Sequence, residues 1–240
     1  MPGSHELDRL CDIAASAAQH PLWMAFTNYL TLRSSGRRAE ALKELDNFLN
    51  VSRNWDFTAR SSFLIWIGHQ LNVDPTDKRL VPETLRRHLL APTAKEWIAH
   101  EPDNSQAHFL FAIYGTTPFE AGTSPLDHLQ RAVELDSTNW RARTTFINST
   151  ISIAEYSQHE LPWHGYLGSA SDDAHRLEIA LKMSNDINEP SSRRQIMVNL
   201  RERLEIASAW LSFEQDPDFK DFEAWCKHFG KPIWVLGRIT

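Results

Sequence analysis

The stretch RAVELDSTN, residues 131–139, decides the fold, because it reads as the end of one helix, a tight turn and the start of the next. The turn is repeated. EPDN at residues 101–104 closes in the same way as LDSTN at residues 135–139, and the two asparagines, Asn104 and Asn139, stand 35 positions apart. Between them run two apolar helical stripes, one with Ala107, Phe111 and Ala112 and one with Leu129 and Ala132. Small residues at such positions let two helices approach closely, and the turn asparagine starts the next helix at a fixed angle. A spacing near 34 residues is the period of a repeated helix–turn–helix unit.

Outward from this unit nearly every segment keeps the helical period. Upstream, Leu10, Cys11 and Ala14 mark a first helix, broken at Pro21. Trp23, Phe26 and Leu30 mark a second that stops at Gly36, and Ala41, Leu42, Leu45, Phe48 and Leu49 a third. Phe63 and Ile67 place a fourth at about 57–71. Residues 72–82, with two prolines and several charges, read as a loop. A helix follows at about 83–90, and Pro92 is expected to open a separate one that carries Trp97. Residues 105–114 are helical, 115–124 a turn region and 125–135 helical again. Downstream, a long helix is expected from Trp140 to about His159, a loop at 161–169, and a helix at 172–185 with acids in its first turn. Pro190 then starts a helix with the stripe Met197, Leu200, Leu204, Ala207 and Leu211. Phe219, Phe222, Cys226 and Phe229 predict a short last helix. Only the apolar tail 233–240 reads as extended.

The segment 105–139 resembles a tetratricopeptide repeat, with Ser137 where that family usually has proline. GRRAEAL at residues 36–42 is similar to the family's glycine turn followed by Glu-Ala-Leu, and marks a weaker repeat over 22–54. The turn region 115–124, the loop after Leu71 and the loop at Leu161 depart from the pattern. The resemblance implies an all-α fold, a right-handed superhelical stack of antiparallel helix pairs running as one domain through 1–240. Such stacks expose a groove lined by the first helix of each pair. Carried over position by position, the groove would be lined by Trp23, Phe26, Leu30, Gln106, Phe109, Ile113, Arg141, Thr144 and Asn148. Arg141 and Asn148 would grip a peptide's backbone or carboxylate. The fuller set of Lys, Asn and Arg that the family uses to clamp chaperone tails is not reproduced. Phe26, Leu30, Phe109 and Ile113 also read simply as core.

Composition narrows the function. The chain is 42% hydrophobic and 23% charged, with a net charge of −6, which lacks the clustered basic excess of a nucleic-acid binder. No apolar run approaches the ~20 residues of a membrane span. Cys11 and Cys226 sit far apart without a CxxC pair, and no basic-then-apolar leader opens the chain, so a reducing, cytoplasmic setting is expected.

Catalytic signatures are missing: no GxSxG, P-loop or GxGxxG is present. His159-Glu160-Leu161-Pro162-Trp163-His164 comes nearest to a metal motif, but its histidines are five apart with a proline between them, where HExxH needs four on one helix face. Asp172, Asp173 and His175 are further candidate ligands beside His164, but they read as a solvated helix start with its acids in the first turn. Cys226 falls in line with Phe219, Phe222 and Phe229 and reads as a core thiol. The expectation is therefore a module that binds a protein or peptide partner, with no metal, cofactor, nucleic acid or membrane. Two alternatives stand beside it: a dedicated inhibitor or immunity-type protein that neutralises one partner, and a helical enzyme with a metal site near His159 and His164.

Overall fold

In the computed structural model the described residues, 4–70, 81–115 and 124–232, form helices and turns with no strand among them. Residues 71–80 and 116–123, which hold most of two expected turn regions, and the tail 233–240 lie outside the described residues. The chain divides into two compact units, Met1–Ser137 and Thr138–Thr240, which part inside the turn LDSTN.

In the first unit α1 (Ser4–Ala17) packs on α2 (Met24–Ser34), and α2 on α3 (Arg38–Ser52). On α1, Leu10, Ile13, Ala14 and Ala17 are buried, whereas Cys11, expected in the stripe, is exposed. Gly36 makes the turn between α2 and α3. Its φ of +79° lies in the left-handed region, and Gly36 N–H reaches the Arg33 carbonyl (3.1 Å) while Arg37 N–H reaches that of Leu32 (2.9 Å). This paired closure satisfies the last carbonyls of α2 and folds the two helices into a hairpin. On α4 (Phe57–Gln70), Phe63, Leu64 and Ile67 are buried. The core here is aromatic: Phe63 lies 5.4 Å from Trp23, 5.1 Å from Phe26 and 5.0 Å from Phe48, ring centre to ring centre. Burying each such ring contributes ~1.5–3 kcal/mol, and inclined pairs add about 0.5–1.5 kcal/mol.

Pro92 does not open a separate helix. α5 (Glu83–Leu85), a π turn (Arg86–Leu90) and α6 (Ala91–His100) run on without a break. The π turn is the reason. Ala91 N–H reaches back five residues to the Arg86 carbonyl, so the ladder has already widened before the residue that lacks an N–H. Thr93 Oγ1 then donates to the Leu89 carbonyl (2.7 Å).

The quoted repeat follows. Asn104 Oδ1 accepts from Ala107 N–H (3.0 Å) and so caps α7 (Ser105–Leu110), which continues into a second π turn (Phe111–Gly115). A β-carbon at Gly115 would fall 2.1 Å from the Phe111 ring, so any side chain there would force that ring to move. Pro125 occupies the first turn of α8 (Pro125–Leu135), capped by Ser124. Ala132 is fully buried, and the Ser105 hydroxyl donates to its carbonyl (2.7 Å), which ties the start of α7 to the end of α8.

In the second unit Asn139 repeats the cap: its Oδ1 accepts from Ala142 N–H (3.1 Å) at the start of α9 (Trp140–Gln158). Ser169 caps α10 (Ala170–Ser184), Pro190 opens α11 (Pro190–Glu214), and Asp221 caps α12 (Phe222–His228). The last helix therefore starts three residues later than Phe219 suggested. α10 packs against both α9 and α11. On α11, Leu200 and Ala207 are buried as expected, but Met197, Leu204 and Leu211 are only half-buried, and Arg203, Ile206 and Ala209 lie inside. A polar network supports Arg203 there. Gln158 Nε2 donates to the Arg203 carbonyl (2.9 Å) and to Tyr166 Oη (3.3 Å), and Tyr166 O–H donates to Asp173 Oδ2 (2.9 Å). Burial above all, and then the Asp173 charge, pushes the Tyr166 hydroxyl up, so it stays protonated and donates.

Candidate binding site

The residues expected to line a groove separate by environment. Trp23, Phe26, Leu30 and Phe109 are 0–4% exposed and stand in the core of the first unit, which corrects their placement on a partner-facing surface. The cause is packing on more than one side: α2 lies between α1 and α3, Trp23 meets Phe63 and Trp66 of α4, and α7, which carries Phe109, packs against α6 and α8. Gln106 and Ile113 are half-buried, and among the described residues the buried Gln106 Nε2 has no hydrogen-bond partner.

Arg141, Thr144 and Asn148 are on the outside of α9, Asn148 exposed and the other two half-exposed. At 100° per residue they share a stripe with Trp140, Ile151, Ser152 and Glu155 that spans about a third of the helix circumference. The opposite face buries Arg143, Phe146, Ile147, Thr150, Ala154 and Ser157. Trp140, at the head of the stripe, is 61% exposed.

The lower half of the stripe forms one wall of a cleft. Asn148, Ile151, Ser152 and Glu155 of α9 face Gln195, Ile196 and Asn199 of α11 across about 620 Å³ of open space. The walls are mostly polar, with Ile151 and Ile196 between the amides, and α10 packs against both helices. Asn199 Oδ1 is buried and has no hydrogen-bond partner among the described residues. Side-chain amides on both walls present donors and acceptors together, the combination that matches a peptide bond. Of these residues the sequence singled out Asn148 alone. Ser152 and Glu155 follow it at helical spacing and extend its stripe, whereas nothing in the α11 sequence separates Gln195 and Asn199 from an ordinary solvated face.

The other chemistry-bearing residues have structural surroundings. His159 is exposed, with Nε2 3.0 Å from the Glu160 carboxylate; His164 is exposed as well. Asp173 is taken up by Tyr166, and Asp172 and His175 are exposed. Among the described residues no group of three or more His, Cys, Asp or Glu side chains gathers as a metal site. Cys226 is fully buried beside Phe222 and Trp225, and burial pushes its thiol up, away from the reactive thiolate.

One histidine pair went unnoticed in the sequence. His108 Nε2 donates to the Pro102 carbonyl (2.8 Å), which leaves its Nδ1 as acceptor for His128 Nδ1–H (2.9 Å). Burial, and then the neighbouring imidazole, pushes His128 below the usual histidine range, while Asp127 pulls weakly the other way. The shift favours the neutral form of His128.

Among the described residues no helix is long and apolar enough to cross a membrane. Neither a protein-family model, nor a curated protein sequence, nor a solved structure matches this chain.

Proposed function

We propose that this chain is a binding module for a protein or peptide partner, a divergent member of the tetratricopeptide-like helical repeats, and that α9 carries its recognition face. The observation that carries the reading is the exposed stripe on α9. It starts at Trp140, passes Arg141, Thr144 and Asn148, and enters the amide-lined cleft against α11. An exposed tryptophan beside an arginine is the composition of an interface hot spot. The amides of Asn148, Gln195 and Asn199 suit the backbone of an extended peptide. The matching caps at Asn104 and Asn139 support the repeat reading, since each starts its helix through the same contact, three residues on.

The test is selection of binding peptides by display against the purified chain, followed by affinity measurement on Trp140→Ala and Asn148→Ala. Both side chains are exposed, so both variants should fold. Each should weaken binding by roughly tenfold. Binders that tolerate both substitutions, and Gln195→Ala as well, would place recognition elsewhere.

A further inference from the structure

Two histidines meet nitrogen to nitrogen where α7 packs against α8. His108 is 8% exposed and His128 half-buried, and their Nδ1 atoms stand 2.9 Å apart. The other nitrogen of His108, Nε2, lies 2.8 Å from the Pro102 carbonyl in the turn before α7. A carbonyl oxygen can only accept, so that bond keeps a proton on Nε2. His108 is therefore neutral only while its Nδ1 is bare. The contact joins the turn 101–104, α7 and α8, and the Phe111 ring meets that of His128 at 66° (4.6 Å).

The number of protons on the two rings decides whether this contact can exist. Two facing Nδ1 atoms make a hydrogen bond when one proton lies between them. With both rings neutral, His128 supplies it. After one ring becomes an imidazolium, that ring donates from Nδ1, and its neutral partner accepts with its own proton on Nε2. Once both rings are protonated, each Nδ1 carries a proton. Two N–H groups then point at one another, and two positive charges face each other where burial weakens screening by water. The rings have to part.

Neighbouring charges do little to relieve this. Asp127, beside His128 on α8, is exposed and favours the cation only weakly. Arg131, one turn on, is held by Asp103 (2.9 Å) and Glu134 (3.6 Å), and Glu101 accepts from the Asn104 amide (2.6 Å). On α6, Glu96 pairs with Arg60 of α4 (3.0 Å), and Lys95 and His100 are exposed, as is His69 of α4. Arg86 pairs with Glu83 (2.8 Å), and the π turn Phe111–Gly115 has no charged side chain.

We propose that His108 and His128 are a proton-operated latch between α7 and α8: one bridging proton closes it, and protonation of both rings opens it. Because His128 is held below its ordinary value, the closed form is fully favoured above about pH 6.5 and less so as the pH falls through the folded value. The latch belongs to the first unit and is independent of the binding reading of α9.

The test follows both rings by NMR from about pH 8 to 4, through two-bond nitrogen–proton signals that report the protonation of each Nδ1 and Nε2. His128 is identified by its contact with the Phe111 ring. Helix opening is followed as amide exchange, corrected for its intrinsic pH dependence. The pair should titrate in two steps more than about one pH unit apart. Amide protection of α7 and α8 should hold through the first step and fall roughly tenfold in the second, while α1, α2 and α3 stay protected. In His128→Gln, whose amide can donate or accept and carries no charge, His108 should titrate in one step, and α7 and α8 should keep their protection. The steps and the protection are read on the parent protein, so both tests stand even if the variant fails to fold. Coincident steps, protection lost with the first proton or not at all, or equal loss in parent and variant would each overturn the proposal. So would simultaneous loss in α1, α2 and α3, which is general acid unfolding.

Discussion

Replacing Tyr166 by phenylalanine removes one oxygen from the buried network that joins α9, α10 and α11, and the structure fixes how much that should matter. The hydroxyl donates to Asp173 Oδ2 at 2.9 Å and accepts from Gln158 Nε2 at 3.3 Å. Asp173 is 5% exposed and Gln158 is fully buried, so neither finds water once the oxygen is gone. Gln158 Nε2 keeps its bond to the Arg203 carbonyl, and its loss is small. The carboxylate bears the main cost. A hydrogen bond to a charged group contributes about 1.5–3 kcal/mol, and the ring itself still packs in the variant, so Tyr166→Phe should destabilise by about 2 kcal/mol. Equilibrium urea unfolding reads this as a lower midpoint at unchanged slope. The cause is isolated by a double-mutant cycle with Asp173→Ala, in which the two changes should couple by about 1–2 kcal/mol. A loss under ~0.5 kcal/mol, or fully additive changes, would refute the reasoning and show that the Asp173 carboxylate draws its solvation from elsewhere.

Two further outcomes test other parts of the fold. Ala132→Arg must bury a cation or force α7 and α8 apart at a site with no exposed surface, so it should cost several kcal/mol, and a melting temperature within a few degrees of the parent would contradict the close approach of these helices. Because His128 is held below its unfolded value, its neutral form contributes stability that is complete above about pH 6.5 and is lost as the pH falls through the folded value. His128→Gln keeps a donor for His108 but cannot titrate. It should therefore lose less stability than the parent between about pH 7 and 5, and identical acid limbs would show that His128 does not contribute to the acid limb.

The parts of the fold that the sequence revealed are those written in local chemistry. Asn104 and Asn139 are helix caps, Pro125 and Pro190 stand in first turns, and Gly36 takes the left-handed turn, because each effect acts within a few residues of its cause. Pro92 misled for the opposite reason. Its effect depends on the width of the helical turn before it, and the π turn at Arg86–Leu90 leaves no mark in composition. The α11 stripe failed at Arg203 in a related way. An arginine is scored as surface by any hydrophobic pattern, yet this one lies inside, where its guanidinium donates to Gln158 Oε1 on α9 (3.4 Å), 45 positions away in sequence.

The same distinction separates the two halves of the expected groove. A repeat resemblance assigns faces by register and gives Phe26, Phe109 and Asn148 the same standing, although a face is a surface only if no neighbouring helix covers it. For Phe26 the side-chain chemistry already argues for burial, since a phenyl ring contributes most when wholly removed from water. For Asn148 it argues for exposure, since an amide inside the core needs partners on every side. Register combined with that criterion would have kept Arg141, Thr144 and Asn148 and returned Trp23, Phe26 and Phe109 to the core, which is the division the structure makes. Gln195 and Asn199 stay out of reach of this reasoning. Their significance lies in facing Asn148 across a gap, and that pairing depends on how α9 and α11 are held apart by α10, a relation among three helices that no single stretch of sequence contains.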